Sequence, residues 1–227
     1  MKIIEDAIKR GVNNLSEFES KKVLSAYGIP VTFENTATTL REVVAAANSI
    51  GYPVALKASG ENLQHKTELD LIRLDLKDES QVTQAYTALL SESTIPITEV
   101  LIQQMIRGNR ELMAGLKRDS QFGPCVVFGI GGVLTEIWED VSIRVAPIST
   151  FDAMDMMAHI RGKKILEPFR GNPPVDREAL AEILMALGRI GLENEAVGEI
   201  DINPIKLIRG RPVAVDALVV LDYKDSP

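Results

Sequence analysis

The pattern of apolar and polar positions in the first hundred residues alternates between a helical and an extended period. Two capping boxes, from Ser16 to Glu19 and from Thr39 to Glu42, predict helices that end at Gly28 and Gly51. The rest of this half predicts an extended segment over 29–33, a strand hairpin over 53–58 and 69–76, a helix over 79–91 and a strand over 99–104.

The second half of the chain begins with short apolar segments separated by Gly and Asp. They predict strands over 112–117, 125–128, 133–138 and 143–145. Helices follow over about 149–160 and 175–190, and then strands over 197–202 and 212–219. This mixed order predicts an α+β fold of two lobes, 1–106 and 107–227, with a hinge near 105–110, rather than one doubly wound sheet.

Composition narrows the functional classes. The 227 residues are 45% hydrophobic and 25% charged, as in a folded chain with a sizeable core. The net charge of −7 argues against a general nucleic-acid or membrane surface, so an anionic ligand requires a local cationic cluster. There is one cysteine, Cys125, and no apolar run of the ~20 residues that a membrane span needs. We therefore expect a cytoplasmic protein.

Two clusters have the composition of a phosphate site. Lys57 ends an apolar strand and is followed within sixteen residues by Ser59, His65, Lys66, Thr67 and Arg73. Cations and hydroxyls on one loop suit a polyphosphate, but a solvated hairpin with scattered charges is an equal alternative. Three glycines, Gly129, Gly131 and Gly132, could turn backbone amides toward an anion, although a tight β-turn is the simpler interpretation of them alone.

A candidate cation site lies near the end of the chain. In a strand, Glu199, Asp201 and Asn203 share one face, and three oxygen-bearing side chains suit a hard cation such as Mg²⁺. Asp216 on the following strand could add a fourth oxygen. The alternative is a surface strand with outward polar positions, although the apolar surroundings of Asp216 require a partner for a buried carboxylate. Triad, zinc and Walker motifs are absent.

Six short motifs in order resemble the ATP-grasp β subunit of ADP-forming acyl-CoA (acetyl-CoA) synthetases and, more distantly, the succinyl-CoA synthetase β chain. They are LSEFESKKVLSAYGIP (15–30), GYPVALK (51–57), HKTE (65–68), FGPxVxFGxGGV (122–133), Glu136 with DVxxRxxP (140–147), and EIDINP (199–204). The resemblance implies an ATP-grasp fold in which two α+β lobes clamp ATP or ADP between antiparallel sheets. It also implies an α subunit that binds coenzyme A, and a hetero-oligomer such as α2β2.

The same resemblance implies roles for individual residues. Nucleotide-binding residues are Lys57 at the phosphates, Gln104, Met105 and Ile106 at the adenine, Glu111 at the ribose, and Gly129, Gly131 and Gly132 at the phosphate in transit. The magnesium ligands are Asp201, Asn203 and Asp216. The catalytic residues are His65, which takes a phosphoryl group transiently, and Arg144.

Two departures from the family pattern bear on this hypothesis. The family usually has Val-Gly-Gly-Val where this chain has residues 69–72, so Asp70 places a carboxylate near the expected phosphate. The later Gly-x-Arg-Gly motif of the family appears within 167–171 with its first glycine missing. Two alternatives to the synthetase subunit stay open: a self-sufficient ATP-grasp carboxylate ligase and a non-catalytic nucleotide-binding module. The acyl substrate cannot be assigned from the sequence.

Overall fold

The computed structural model describes residues 1–59, 71–93, 96–132, 140–169 and 171–223. It divides into a larger unit, Met1–Val31 with Ile106–Pro227, and a smaller unit, Thr32–Met105. The helices are α1 (Lys2–Lys9), α2 (Glu17–Ala26), α3 (Leu40–Ile50), α4 (Glu79–Glu92), α5 (Thr150–His159) and α6 (Arg177–Glu193), with a 3-10 turn at Lys163–Leu166. The strands are β1 (Glu34–Ala37), β2 (Val54–Ser59), β3 (Ile72–Leu76), β4 (Glu99–Gln104), β5 (Glu111–Asp119), β6 (Gly123–Ile130), β7 (Val141–Val145), β8 (Val197–Ile208), β9 (Arg211–Ala214) and β10 (Leu218–Leu221).

Local sequence signals account for most of these elements. Both predicted capping boxes are present, because Ser16 and Thr39 accept hydrogen bonds from the first-turn amides and their glutamates bond back. Helix α1 was not predicted, since it begins without a side-chain cap. The predicted strand 212–219 is two strands, β9 and β10, and the predicted strand 133–138 lies outside the described residues.

The smaller unit is a four-stranded antiparallel sheet in the order β1-β4-β2-β3. The predicted hairpin of β2 and β3 is confirmed by their antiparallel register. Alternate side chains of β2 and β4, such as Val54, Leu56 and Ile102, pack with α3 and α4 to form an apolar core. The residues between them, including Lys57, therefore point to the other face of the sheet.

The larger unit is built on a sheet in the order β10-β8-β5-β6-β7, with β9 also paired to β8. Leu112, Phe128 and Ile202 lie on the face that α5 and α6 cover, and they belong to one buried cluster with residues of those helices. The opposite face carries the alternate positions of the same strands. Among the described residues, none of the helices is long and apolar enough to cross a bilayer.

Residues 1–31 belong to the larger unit, whereas the sequence predicted them as part of an N-terminal lobe over 1–106. Backbone bonds hold this segment to the last strands: Leu15 N donates to Val219 O at 3.0 Å, and Ala214 N donates to Pro30 O at 2.8 Å. Leu24 is fully buried in the core of this unit. The apolar face of α2 indicates that the helix packs on a core, but it does not indicate which of two cores.

Candidate functional site

A glycine turn lies where β6 ends, against the first residues of β5. Gly131 N donates to Glu111 O at 2.9 Å, and Gly132 N donates to Asn203 Oδ1 at 2.9 Å. A Cβ on Gly131 would overlap Leu112 O, and Gly132 has a φ of +70°, with the Glu111 carboxylate where its Cβ would lie. Only glycine fits both positions without displacement. The turn thus brings four predicted site residues together, namely Glu111, Gly131, Gly132 and Asn203.

Position 129 requires glycine for a different structural reason. It lies within β6 opposite Val141 of β7, and a Cβ there would meet Asp140 O at 2.6 Å and the Val141 side chain at 2.9 Å. The close pairing of β6 with β7 therefore accounts for this glycine. The structure does not place it in the glycine turn.

An acidic group lies beside the glycine turn on β8. Asp201 and Asn203 alternate with the buried Ile200 and Ile202, so the predicted common face exists. Asp216 lies in the break between β9 and β10, both of which pair with β8. Leu218, two residues after Asp216, is directly opposite Asp201. The strand pairing thereby brings Asp216 to the middle of β8, close to Asp201.

The electrostatics of this group favour a bound cation. Burial, followed by repulsion from Asp216 and Glu199, raises the pKa of Asp201 to about 6. A carboxyl group in this environment loses its proton more easily when a positive charge is nearby. The burial of Asp201 and its repulsion by neighbouring carboxylates therefore favour a bound cation at this group.

The donor set fits magnesium. Among the described residues, no group of three or more His, Cys, Asp or Glu side chains is placed to hold a metal ion. The group here has two carboxylates and the amide oxygen of Asn203, whose second lone pair is available beside the Gly132 bond. Mg²⁺ takes few protein oxygens and completes its octahedron with water and phosphate. Two carboxylates and one amide are thus a sufficient protein contribution.

Lys206 was missed by the sequence analysis. Its Nζ lies 3.1 Å from the Glu111 carboxylate and also donates to Gly108 O at 3.3 Å. Lys206 is paired with Glu111 across β8 and β5, and β8 continues four residues beyond the last predicted strand position before it reaches Lys206. The sequence signal that identifies Lys206 is the alternation of polar and apolar residues, which continues past Pro204. This ion pair holds the Glu111 side chain beside the glycine turn.

The smaller unit carries Lys57 on a buried polar face. Lys57 is only 5% exposed and lies on β2, opposite Leu101 of β4. Gln103 shares this face because it pairs with Ala55, and its side-chain amide donates to Thr32 Oγ1 at 2.8 Å. The sequence analysis missed Gln103, although counting in twos along the paired strands identifies it. A buried cation and a buried amide are thus placed on one surface.

The three residues expected at the adenine are differently placed. Gln104 N donates to Phe33 O at 2.8 Å, and its side-chain oxygen accepts a long bond of 3.5 Å from Phe33 N. Gln104 lies opposite the core residue Val54, so it points away from the face of Lys57. Met105 N donates to Pro53 O at 3.2 Å. Ile106 is buried and belongs to the larger unit.

The structure does not bring Arg144 to the glycine turn. Arg144 pairs with the buried Val126, so it lies on the face that the helices cover, and it forms a 2.5 Å ion pair with Asp155 of α5. Asp201 is on the opposite face of the same sheet. The expected contact of Arg144 with phosphate is therefore not supported by this arrangement. His65, the other expected catalytic residue, lies outside the described residues.

Comparison with known proteins decides the family. A family model described as an ATP-grasp domain matches residues 6–221. The chain belongs to the ATP-grasp family. Its two antiparallel sheets with helices confirm the α+β fold class expected from the sequence.

Similar proteins in this family are ADP-forming acetate–CoA ligases or their β subunits. The ATP-grasp chain is 38% identical over 224 residues to the β subunit of acetate–CoA ligase [ADP-forming] I from Pyrococcus furiosus, covering 96% of both chains. It is 37% identical to acetate–CoA ligase [ADP-forming] I from Archaeoglobus fulgidus, of which it spans 32%. A solved acetyl-coenzyme A synthetase from Ca. Korarchaeum cryptofilum, in complex with coenzyme A and Mg-AMPPCP, matches with a TM-score of 0.88 and 38% identity over 97% of this chain and 99% of that one. In that structure a phosphohistidine segment points towards the nucleotide binding site.

The Gly132→Ala variant tests the glycine turn of this ATP-grasp chain. We expect it to lose nucleotide affinity and about 1–2 kcal/mol of stability, since alanine is strained at positive φ and its methyl group displaces Glu111. Gly28→Ala is the matched control, because Gly28 has a φ of +83° with no atom within 4 Å of its Cβ position. Thermal unfolding should show that both variants are destabilised, since both alanines are strained at positive φ, and Mg-ADP titration should show an affinity loss in the first alone. Equal affinities would contradict a role for the turn.

A second variant tests the position of Arg144 in the ATP-grasp fold. The Arg144–Asp155 pair is about one-third exposed on both sides, so Arg144→Met should cost at most about 1 kcal/mol of unfolding free energy. We expect Asp155→Asn to have a similar effect and both variants to bind Mg-ADP like the wild type. A loss of nucleotide affinity in Arg144→Met alone would show that the arginine contacts phosphate after all.

Proposed function

We propose that this chain is the nucleotide-binding β subunit of an ADP-forming acyl-CoA synthetase. It would transfer a phosphoryl group between a phosphohistidine and ADP in the reaction acyl-CoA + ADP + phosphate = acid + coenzyme A + ATP. The observation that carries the proposal is Asn203, whose side chain bonds to the glycine turn while its strand holds Asp201. A phosphate-binding turn and a cation site are thereby joined in a chain that covers 96% of a synthetase β subunit.

The proposed mechanism needs little covalent chemistry from the protein. The task is to align the phosphoryl donor with its acceptor and to neutralise charge as the group moves. When bound, Mg²⁺ would supply positive charge that offsets the charge of the phosphate groups. Asp201, Asn203 and Asp216 would hold that ion, while Lys57 would place an ammonium group at the phosphates.

The remaining residues have positioning and covalent roles in this proposal. Glu111, oriented by Lys206, would accept hydrogen bonds from the ribose hydroxyls. Gln104, Met105 and Ile106 would line the adenine. His65 would receive the phosphoryl group, because a neutral imidazole nitrogen is a competent nucleophile toward phosphorus. The phosphate would then pass from His65 to ADP.

The proposal includes a partner. Coenzyme A and the acyl group would be bound by an α subunit, and the chain would act in a hetero-oligomer, with α2β2 as the proposed stoichiometry. Support comes from the Archaeoglobus relative, in which a segment like this chain makes up 32% of a longer ligase. A cytoplasmic location, where ADP and coenzyme A are both present, belongs to the same proposal.

Covalent labelling with γ-labelled Mg-ATP tests this function. The chain has two histidines, so His159→Asn is a matched control for His65→Asn, and His159 is exposed on α5. We expect acid-labile, base-stable label on the wild type and on His159→Asn but not on His65→Asn. The assay is run with and without an added α subunit, and the two subunits are separated before counting.

Three results would contradict the proposal. Absence of label on every variant with the α subunit present, while Mg-ADP still binds, would exclude phosphoryl transfer through this chain. Release of ADP on addition of a carboxylate and an amine without an α subunit would indicate a self-sufficient ligase. Failure of the wild type to bind Mg-ADP in calorimetry would indicate a non-catalytic module.

A further inference from the structure

Ser59 is a buried hydroxyl without a hydrogen-bond partner among the residues that the structure describes. It is the last residue of β2 and is 1% exposed, and its Oγ makes no hydrogen bond with any of those residues. Buried polar atoms are nearly always bonded, because an unmade bond costs the full desolvation of the group. An unpartnered hydroxyl in a folded protein therefore points to a group that binds there.

The position of Ser59 indicates which kind of group that is. Ser59 lies two residues after Lys57, so both side chains are on the face of the sheet opposite the core residue Leu56. Glu99 is directly across on β4, yet no bond joins it to the hydroxyl. Ala58, between the two polar residues, has its backbone N–H bonded to Leu71 O at 3.0 Å. This bond holds the backbone of β2 in place, while the Ser59 hydroxyl keeps its hydrogen-bonding capacity unused among the described residues.

We infer that Ser59 donates a hydrogen bond to a phosphate oxygen of the nucleotide held by Lys57. This inference rests on the proposed function and adds a residue that sets phosphate orientation. A lysine ammonium attracts an anion as a point charge and fixes its direction weakly. A phosphate oxygen has lone pairs for both donors, and a hydroxyl bound to an anion makes a charge-assisted bond of defined direction. Lys57 would supply attraction and Ser59 the alignment.

The test compares two buried serines. Ser20 is fully buried in the larger unit, and its Oγ accepts a 3.0 Å bond from Val219 N. We expect Ser20→Ala to lower the melting temperature, because it leaves Val219 N unpaired, and to leave Mg-ADP affinity unchanged. Ser59→Ala should do the opposite. It removes an unpaired group, so the melting temperature should stay the same or rise, while the Kd for Mg-ADP should increase about tenfold or more, as for a lost bond to a charged group.

Adenosine locates the contact. In competition with Mg-ADP, adenosine should bind wild type and Ser59→Ala equally, since it has no phosphate. An equal loss of affinity for adenosine and ADP would place the contact on the nucleoside and overturn the inference. An unchanged Kd for Mg-ADP would overturn it too, and a melting temperature lowered as in Ser20→Ala would then assign the hydroxyl to an internal partner.

The failure of the proposed function and the failure of this inference give different results. If the wild type does not bind Mg-ADP, the proposed function and this inference are both wrong. If the wild type and Ser59→Ala bind Mg-ADP with the same Kd, only the inference is wrong. Glu99→Gln serves as a further control, because a hydroxyl that bonds to Glu99 in solution would make both variants less stable.

Discussion

Replacing Asp201 by asparagine should abolish magnesium-dependent nucleotide binding and, at the same time, stabilise the metal-free protein at neutral pH. The binding loss follows from removing one of two carboxylates in the proposed metal site. We expect roughly a 100-fold or larger fall in Mg²⁺ affinity, since changes to residues that only orient the metal ligands already cost about 10–100-fold. Calorimetric titration of Mg-ADP into both proteins measures this loss.

The stability gain follows from the raised pKa of Asp201. This pKa is about 6 in the folded protein against an ordinary value of 3.8, so the folded state binds the proton more tightly than the unfolded state. Wild-type stability should therefore decrease as the pH rises from about 4 to 6, by up to about 3 kcal/mol from this group. Asp201→Asn has no proton to lose and stays neutral, so its advantage over the wild type should grow through this window and persist at pH 7.

Denaturant unfolding at several pH values, without metal, checks the second effect. The carboxyl groups with lowered pKa values, Glu19, Glu42, Asp119 and Asp152, act alike in both proteins, and the difference between the two curves isolates Asp201. Added Mg²⁺ should stabilise the wild type alone, because it binds only the folded wild-type site. Parallel curves for the two proteins would show that the pKa of Asp201 is not raised in the folded protein.

Replacing Lys57 by methionine should reduce nucleotide affinity by about 10- to 100-fold, the effect of losing a hydrogen bond to a charged group. Methionine preserves most of the apolar stem of this buried side chain while removing its charge. The effect should be larger for ADP than for adenosine. Calorimetry or fluorescence competition with both ligands measures it.

Lys21→Met is the control for Lys57→Met. Lys21 is also buried, but it forms a 2.9 Å pair with the buried Glu17 in α2. Its removal leaves an uncompensated carboxylate, so we expect a loss of about 3–5 kcal/mol of stability. The folded fraction of Lys21→Met should bind Mg-ADP normally. An unchanged ADP affinity in Lys57→Met would remove this lysine from the phosphate site.

Features that depend on neighbours along the chain could be predicted from the sequence. The caps at Ser16 and Thr39 are three-residue relationships, and the shared face of Asp201 and Asn203 follows from the two-residue period of a strand. The motifs, read in order, led to the ATP-grasp family, which the family model confirms. These signals are local, so they are present before any tertiary contact forms.

The fold can place residues of neighbouring motifs on different faces of a sheet. Arg144 and Gly131 belong to neighbouring motifs, yet Arg144 lies on the helix-covered face because its register with β6 pairs it with Val126. Gln104 was expected at the nucleotide, but it is Gln103 that shares the face of Lys57. A shift of one residue in a strand reverses the face of a side chain, and the motif alone does not set that parity.

The sequence by itself determined the secondary structure with local caps, the family and the residue types of the candidate site. Only the tertiary structure decided that residues 1–31 join the larger unit, that Asn203 bonds to Gly132, and that Lys206 is paired with Glu111. These contacts join positions that are 71 residues apart for Asn203 with Gly132, 95 apart for Lys206 with Glu111 and 184 apart for Ala214 with Pro30. Their geometry depends on strand register and chain closure, which are set by the packing of the whole unit and not by any local pattern.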